Sequence, residues 1–126
     1  MNKPKILVVD DEPDVVSFIE RTLDTEGFEV ISAFDGISAL DLVDSEKPDL
    51  VLLDLMMPMI SGYEVCEQIK ANPQTQEIPI ICVSSAHTPD ARAHSMRLGA
   101  ATLIVKPFLP MELVAQVRRY LKQEQV

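Results

Sequence analysis

The stretch Ile6-Leu7-Val8-Val9-Asp10-Asp11-Glu12-Pro13 decides the first element of the fold. Four apolar residues, most of them β-branched, make too short a run for a helix and suit a strand covered on both faces. Three acids and a proline then end the run abruptly. Pro13 is placed to open a helix, where its missing N–H is no loss. Val15, Val16, Ile19 and Leu23 follow at a spacing that puts them on one helical face.

The rest of the chain repeats this strand and helix pair. Gly27 ends the first helix in the manner of a residue just past a C-cap, and Glu29-Val30-Ile31-Ser32-Ala33 reads as a weaker, edge strand. Asp35-Gly36 turns the chain into a helix with Ala39, Leu40 and Val43 inward, which Pro48 stops before the strand Leu50-Val51-Leu52-Leu53. A loop from Met56 to Ser61 leads to a third helix with Val65, Cys66 and Ile69 buried, closed by Asn72-Pro73. Ile78-Pro79-Ile80-Ile81-Cys82-Val83 reads as the fourth strand, with Pro79 tolerable only near its beginning. Residues 90–98 form a fourth helix ended by Gly99, and Leu103-Ile104-Val105 is the fifth strand. Pro110 opens the last helix, with Leu113, Val114, Val117 and Leu121 inward and Arg118, Arg119 and Lys122 outward. Strict alternation of five strands and five helices predicts a parallel sheet with helices on both faces.

At 126 residues, 47% of them hydrophobic, residues 1–126 are expected to form one domain that needs neither disulfides nor a structural metal, with residues 122–126 a tail or the start of a linker. No apolar run approaches the ~18–20 residues of a membrane span, and no signal-peptide pattern opens the chain, so a cytoplasmic location and no membrane contact are expected. Cys66 and Cys82 lack metal-ligand spacing and read as small buried hydrophobes. The net charge of −9 is unevenly placed: residues 1–64 hold 15 acidic and 4 basic side chains, residues 65–126 hold 5 and 7. Direct nucleic-acid binding, which needs a basic stripe, is therefore disfavoured.

In an open α/β sheet, ligands bind beyond the carboxyl ends of the strands. The first strand ends in Asp10-Asp11, the third in Asp54, the fourth in Ser84-Ser85 and the fifth in Lys106-Pro107. Each has a plain alternative. Asp11 could cap the first helix, Asp54 could cap a turn, Ser85 could cap the fourth helix, and Lys106 could neutralise an acidic surface. Together they put carboxylates, a hydroxyl and an ammonium on one rim. Crowded carboxylates call for a cation, and an oxygen-only donor set without Cys or His suits Mg²⁺. A metal site beside an unpaired carboxylate and a lysine suggests phosphoryl transfer, with the carboxylate itself as nucleophile.

The elements Val8-Val9-Asp10-Asp11-Glu12-Pro13, Asp54-Leu55-Met56-Met57-Pro58 with Gly62, Ser84-Ser85-Ala86 and Lys106-Pro107-Phe108 resemble the receiver domain of two-component response regulators, from about Lys5 to Leu121. The resemblance implies a doubly wound, flavodoxin-like (βα)5 sandwich with strand order 2-1-3-4-5. It implies a phosphoacceptor signalling domain and not an enzyme, one that takes part in its own phosphorylation and slow dephosphorylation. Asp54 would accept a phosphoryl group from a histidine kinase or phosphotransfer protein. Asp11 would bind Mg²⁺ directly and Asp10 largely through water, with Asp54 and the Met56 carbonyl completing the protein ligands. Lys106 would pair with the phosphoryl group or, without it, with Asp54. Ser85 would be the switch hydroxyl, the Ala86 amide would donate to the phosphoryl group, and the Lys106-Pro107 peptide would be cis.

Departures from the family pattern bear on the downstream output. Leu103 stands where relatives carry Tyr or Phe, so a switch at Ser85 and Leu103 cannot use a rotating ring. Ala101, Thr102 and Gln116 stand where the winged-helix branch carries the charges of its dimer, which disfavours that dimer here. The partner or output domain is left open, and the fourth helix, the least apolar of the five, is expected to carry the motion toward it. A scaffold that recruits a partner constitutively would use the same fold. A phosphatase of the haloacid dehalogenase type would need a second acid where this chain has Met56.

Overall fold

A computed structural model of the chain describes residues 3–85 and 89–121. The strands are β1 (Lys5–Val9), β2 (Glu29–Ala33), β3 (Leu50–Asp54), β4 (Ile80–Ser84) and β5 (Thr102–Val105). Between and after them run α1 (Pro13–Thr25), α2 (Gly36–Glu46), α3 (Gly62–Ala71), α4 (Pro89–Arg97) and α5 (Pro110–Tyr120). All strand pairs are parallel, in the order β2-β1-β3-β4-β5, so β2 is an edge strand as its polar start foretold. This is the flavodoxin-like topology, and the order reverses between β1 and β3, which places a crevice at their carboxyl ends.

Side-chain alternation along the strands divides the interior in two. Ile6, Val8, Leu50, Leu52, Ile81 and Val83 face α1 and α5, where Val16, Ile19, Leu23, Leu113, Val114 and Val117 meet them. Leu7, Val9, Val51, Leu53 and Cys82 face the other way, toward Ala39 and Val43 of α2 and Val65, Cys66 and Ile69 of α3. β1, β3 and β4 are buried almost without interruption because helices cover both faces, which explains their unalternated apolar sequences. Both cysteines are fully buried and free, and the hydrogen bond with Cys66, then burial, raises the Cys82 thiol pKa.

The element boundaries differ from the sequence reading in a few places with clear causes. β4 starts at Ile80, not Ile78, because Pro79 has no N–H to give; its carbonyl still accepts from Val51 N at 3.0 Å. β4 also runs on to Ser84, and β5 begins at Thr102. Glu12 occupies the N-cap position of α1, without a side-chain cap bond, so Asp11 is not the cap. Gly27 and Gly99 take positive φ at the ends of α1 and α4, as their positions predict. Leu121 is the half-buried C-cap of α5, while Lys122 and the tail through residue 126 lie outside the described residues.

Candidate functional site

The crevice is built from the turns that leave β1, β3, β4 and β5. Asp10 directly follows β1 and is 2% exposed, fixed on both carboxylate oxygens: Oδ1 accepts Glu12 N at 2.9 Å and Oδ2 accepts Lys106 Nζ at 2.8 Å. Its backbone N donates to Ala33 O at 3.2 Å, holding it to the end of β2. Asp11 is exposed, and its carboxylate, that of Asp10 and that of Glu12 offer oxygens within 4.8 Å of one another.

Asp54 is the last residue of β3 and 3% exposed. Its Oδ1 accepts Met56 N at 3.1 Å, while Oδ2 stands 3.9 Å from Lys106 Nζ. The turn beyond it is fixed by Gly62, whose N donates to Leu55 O at 3.1 Å. A Cβ on Gly62 would overlap the Asp54 carbonyl oxygen and lie 2.6 Å from Leu55 Cα, so only glycine lets α3 start this close to β3. Met56 is thereby left at the mouth of the crevice, 60% exposed.

Lys106 reaches in from the opposite side. Its backbone N donates to Ser84 O at 2.9 Å, tying the end of β5 to β4, and the Lys106-Pro107 peptide is cis. The ammonium lies between Asp10 at 2.8 Å, Glu12 at 3.4 Å and Asp54 at 3.9 Å. In this unphosphorylated arrangement the nearest partner of Lys106 is thus Asp10, with Asp54 1.1 Å farther away, although β3 lies between β1 and β5 in the sheet. Glu12 enters the same cluster. In the sequence Glu12 belongs to the β1 motif without a role of its own, since nothing local distinguishes it from a helix-start acid. Ser85 is exposed at the end of β4, and Leu103 is 5% exposed on β5 with its carbonyl accepting Arg92 Nη2 at 3.1 Å. Ala86, expected to donate its amide, lies outside the described residues.

The electrostatics follow from this crowding. Burial, then the neighbouring Asp10 charge, push the Asp54 pKa up to about 6; Asp11 adds to the rise, and Lys106 and the Met56 N–H only partly oppose it. Burial by itself would lower the Lys106 pKa, but the Asp10 hydrogen bond and the charges of Asp54, Asp10 and Glu12 outweigh it and raise the pKa. One ammonium therefore serves a group of carboxylates that still lacks positive charge. The donors present are all hard oxygens, and that chemistry fits Mg²⁺ and not a soft metal.

The family model for the response regulator receiver domain matches residues 6–118. The chain belongs to that family. The receiver domain is 42% identical over 123 residues, 98% of its length, to the "Probable transcriptional regulator ycf27" of Porphyridium aerugineum, covering 50% of that protein. It is 39% identical over 126 residues, all of its length, to the "Alkaline phosphatase synthesis transcriptional regulatory protein PhoP" of Bacillus subtilis, covering 51%. The receiver domain thus spans about half the length of these relatives. The crystal structure of the chemotaxis protein CheY4 of Vibrio cholerae superimposes with a TM-score of 0.91 at 29% identity, covering 95% of this chain and 100% of that one. As a receiver domain, the chain is a phosphoacceptor signalling domain of a two-component system. Receiver domains typically bind Mg²⁺ at an acidic cluster, and Asp10, Asp11 and Glu12 form one here.

Proposed function

We propose that Asp54 is the phosphoacceptor, taking a phosphoryl group from the phosphohistidine of a kinase or phosphotransfer protein in the cytoplasm. The observation that supports this reading best is the position of Asp54: buried at the end of β3, with an ammonium 3.9 Å from one oxygen and the acid cluster beside it. Asp10, Asp11, Asp54 and the Met56 carbonyl would hold Mg²⁺, which when bound supplies positive charge to the phosphoryl oxygens. The residues of the chain do the rest. Asp54 attacks phosphorus with a carboxylate oxygen, and its poor hydration inside the crevice leaves that oxygen available. Lys106 moves from Asp10 toward the arriving phosphoryl group, neutralising charge on its equatorial oxygens. Ser85 and the Ala86 amide then bind the same oxygens, and the shift at Ser85 is passed to Leu103 and α4, toward a partner or output domain.

The domain contributes to its own phosphorylation from small donors and to slow hydrolysis of the product, without turning over an external substrate. Incubation with acetyl phosphate and Mg²⁺ is expected to add one phosphoryl group, seen as a single mass increment that hydroxylamine removes. Asp54→Asn is expected to abolish it. Labelling that survives this substitution refutes the assignment.

A further inference from the structure

Beside the acid cluster, between α1 and the turn that leads from β5 into α5, lies an open cavity of about 560 Å³ that shares Lys106 and Ser85 with the phosphoryl site and extends past them to residues which that chemistry does not use. Phe18, Pro107 and Phe108 line it together with the charged Glu12, Asp14 and Lys106. The Phe18 and Phe108 rings stand 6.0 Å apart at 47°, forming an aromatic corner with room beside it. Phe18 sits on α1 yet outside the core, 37% exposed, so core packing does not account for its aromatic ring. The cavity is open to solvent, with a volume in the range of small-molecule sites and aromatic walls beside one cation that can orient a ligand.

We infer that this cavity receives the leaving group of a small-molecule phosphodonor, and that the class it favours is an acyl phosphate with an aromatic acyl group. The proposal rests on Asp54 being the phosphoacceptor. Lys106 carries the geometry, because its ammonium lines the cavity and is also 3.9 Å from Asp54 Oδ2. Because Lys106 lines both, a donor held by this ammonium at the acceptor has the Phe18 and Phe108 cavity within reach of its leaving group. Charge selects the kind of remainder. Glu12 and Asp14 line the cavity and repel a second anionic group, so a ring without a further carboxylate fits best.

The step balances without a co-reactant. An Asp54 carboxylate oxygen forms a bond to phosphorus as the bond from phosphorus to the acyl oxygen breaks. That electron pair leaves on the aromatic carboxylate, and no proton is transferred.

Benzoyl phosphate and acetyl phosphate, each at the same subsaturating concentration with Mg²⁺, test the proposal by the initial rate of mass increment. Benzoyl phosphate is expected to label the domain about tenfold faster. Phe18→Ala, and independently Phe108→Leu should the first variant fold poorly, are expected to collapse this ratio to about one to three. Ile37→Ala, exposed on α2 away from the cavity, is expected to keep the ratio. Equal rates from the two donors in the native domain overturn the proposal, as does a high ratio that both ring substitutions leave untouched. Absence of labelling from either donor, or labelling that persists in Asp54→Asn, overturns instead the reading of Asp54.

Discussion

Helices α4 and α5 lie next to the same strand, β5, and are held to the domain by different means. α5 buries Leu113, Val114 and Val117 against the sheet, and Arg118 adds a 2.8 Å ion pair to Glu26 and a position 5.2 Å over the Phe28 ring. α4 buries only Ala91 and Ser95. Its ties are a hydrogen bond and a ring contact: Arg92 Nη2 on Leu103 O at 3.1 Å, and His94 tilted at 45° against Tyr63 of α3 with ring centroids 4.4 Å apart. Apolar burial scales with area and resists local opening, whereas a hydrogen bond exposed to water contributes little net free energy. The end of β5 that presents Lys106 is therefore backed by a fixed helix, and the stretch around Leu103 by one that can move at small cost.

The largest expected effect tests the α5 side. Leu113→Ala should lower stability by about 2–5 kcal/mol in urea unfolding, while Ala91→Gly in α4 should cost only about 1 kcal/mol. Equal losses would erase the contrast.

Phosphorylation comes next in size. A coupling of about 1–3 kcal/mol between Asp54 and α4 should change amide exchange across Pro89–Arg97 and at Leu103, and leave Leu113 to Val117 within error. Matched changes in both helices would mean that the difference in anchoring does not direct the signal.

Asp54→Asn should raise the midpoint of thermal unfolding of the metal-free domain at pH 7 by a few degrees, reduced from the full linkage value by solvent screening at the open rim. The sign follows from the raised pKa of about 6. Between the unfolded value of about 4 and 6, the folded state binds the extra proton, so stability contributed by Asp54 falls as pH rises through that window. The advantage of the Asn variant should thus grow from pH 4 to 6 and then level off. It is a global effect, and local opening of α4 should not share it.

The smallest effect is local. Arg92→Gln removes the guanidinium from the Leu103 carbonyl and should speed exchange in α4 by roughly fivefold, with global stability changed by about 1 kcal/mol or less. Unaltered exchange would show that α4 is held by something other than this bond.

Much of this arrangement was legible in the chain itself, and the legible parts share a cause. The strand Ile6-Leu7-Val8-Val9, the helix stripe Val16, Ile19 and Leu23, and the stops at Gly27 and Pro48 are local patterns whose meaning depends on residues a few positions away. Because parallel strands all present their carboxyl ends to one rim, strand limits right to within a residue or two also placed Asp10, Asp11, Asp54, Ser85 and Lys106 there. Pairings between those ends were not legible. Lys106 and Asp10 are far apart in sequence, and whether the ammonium lies nearer to Asp10 at 2.8 Å or Asp54 at 3.9 Å depends on ångström differences in how β1, β3 and β5 are staggered. The same holds for Glu12, which joins the cluster only because its turn brings it under Lys106, and for Phe18, whose ring meets Phe108 across two elements.

The sequence by itself therefore determined the order and kind of the ten elements, their buried faces and the set of acids and the lysine at the strand ends, because periodicity and turn chemistry act over short range. Only the tertiary structure decided which acid the lysine meets, how far Asp54 is removed from water, which contacts hold the fourth helix and where an apolar cavity opens beside the acids. Those depend on packing between segments distant in the chain, where small shifts in position change both distance and solvation.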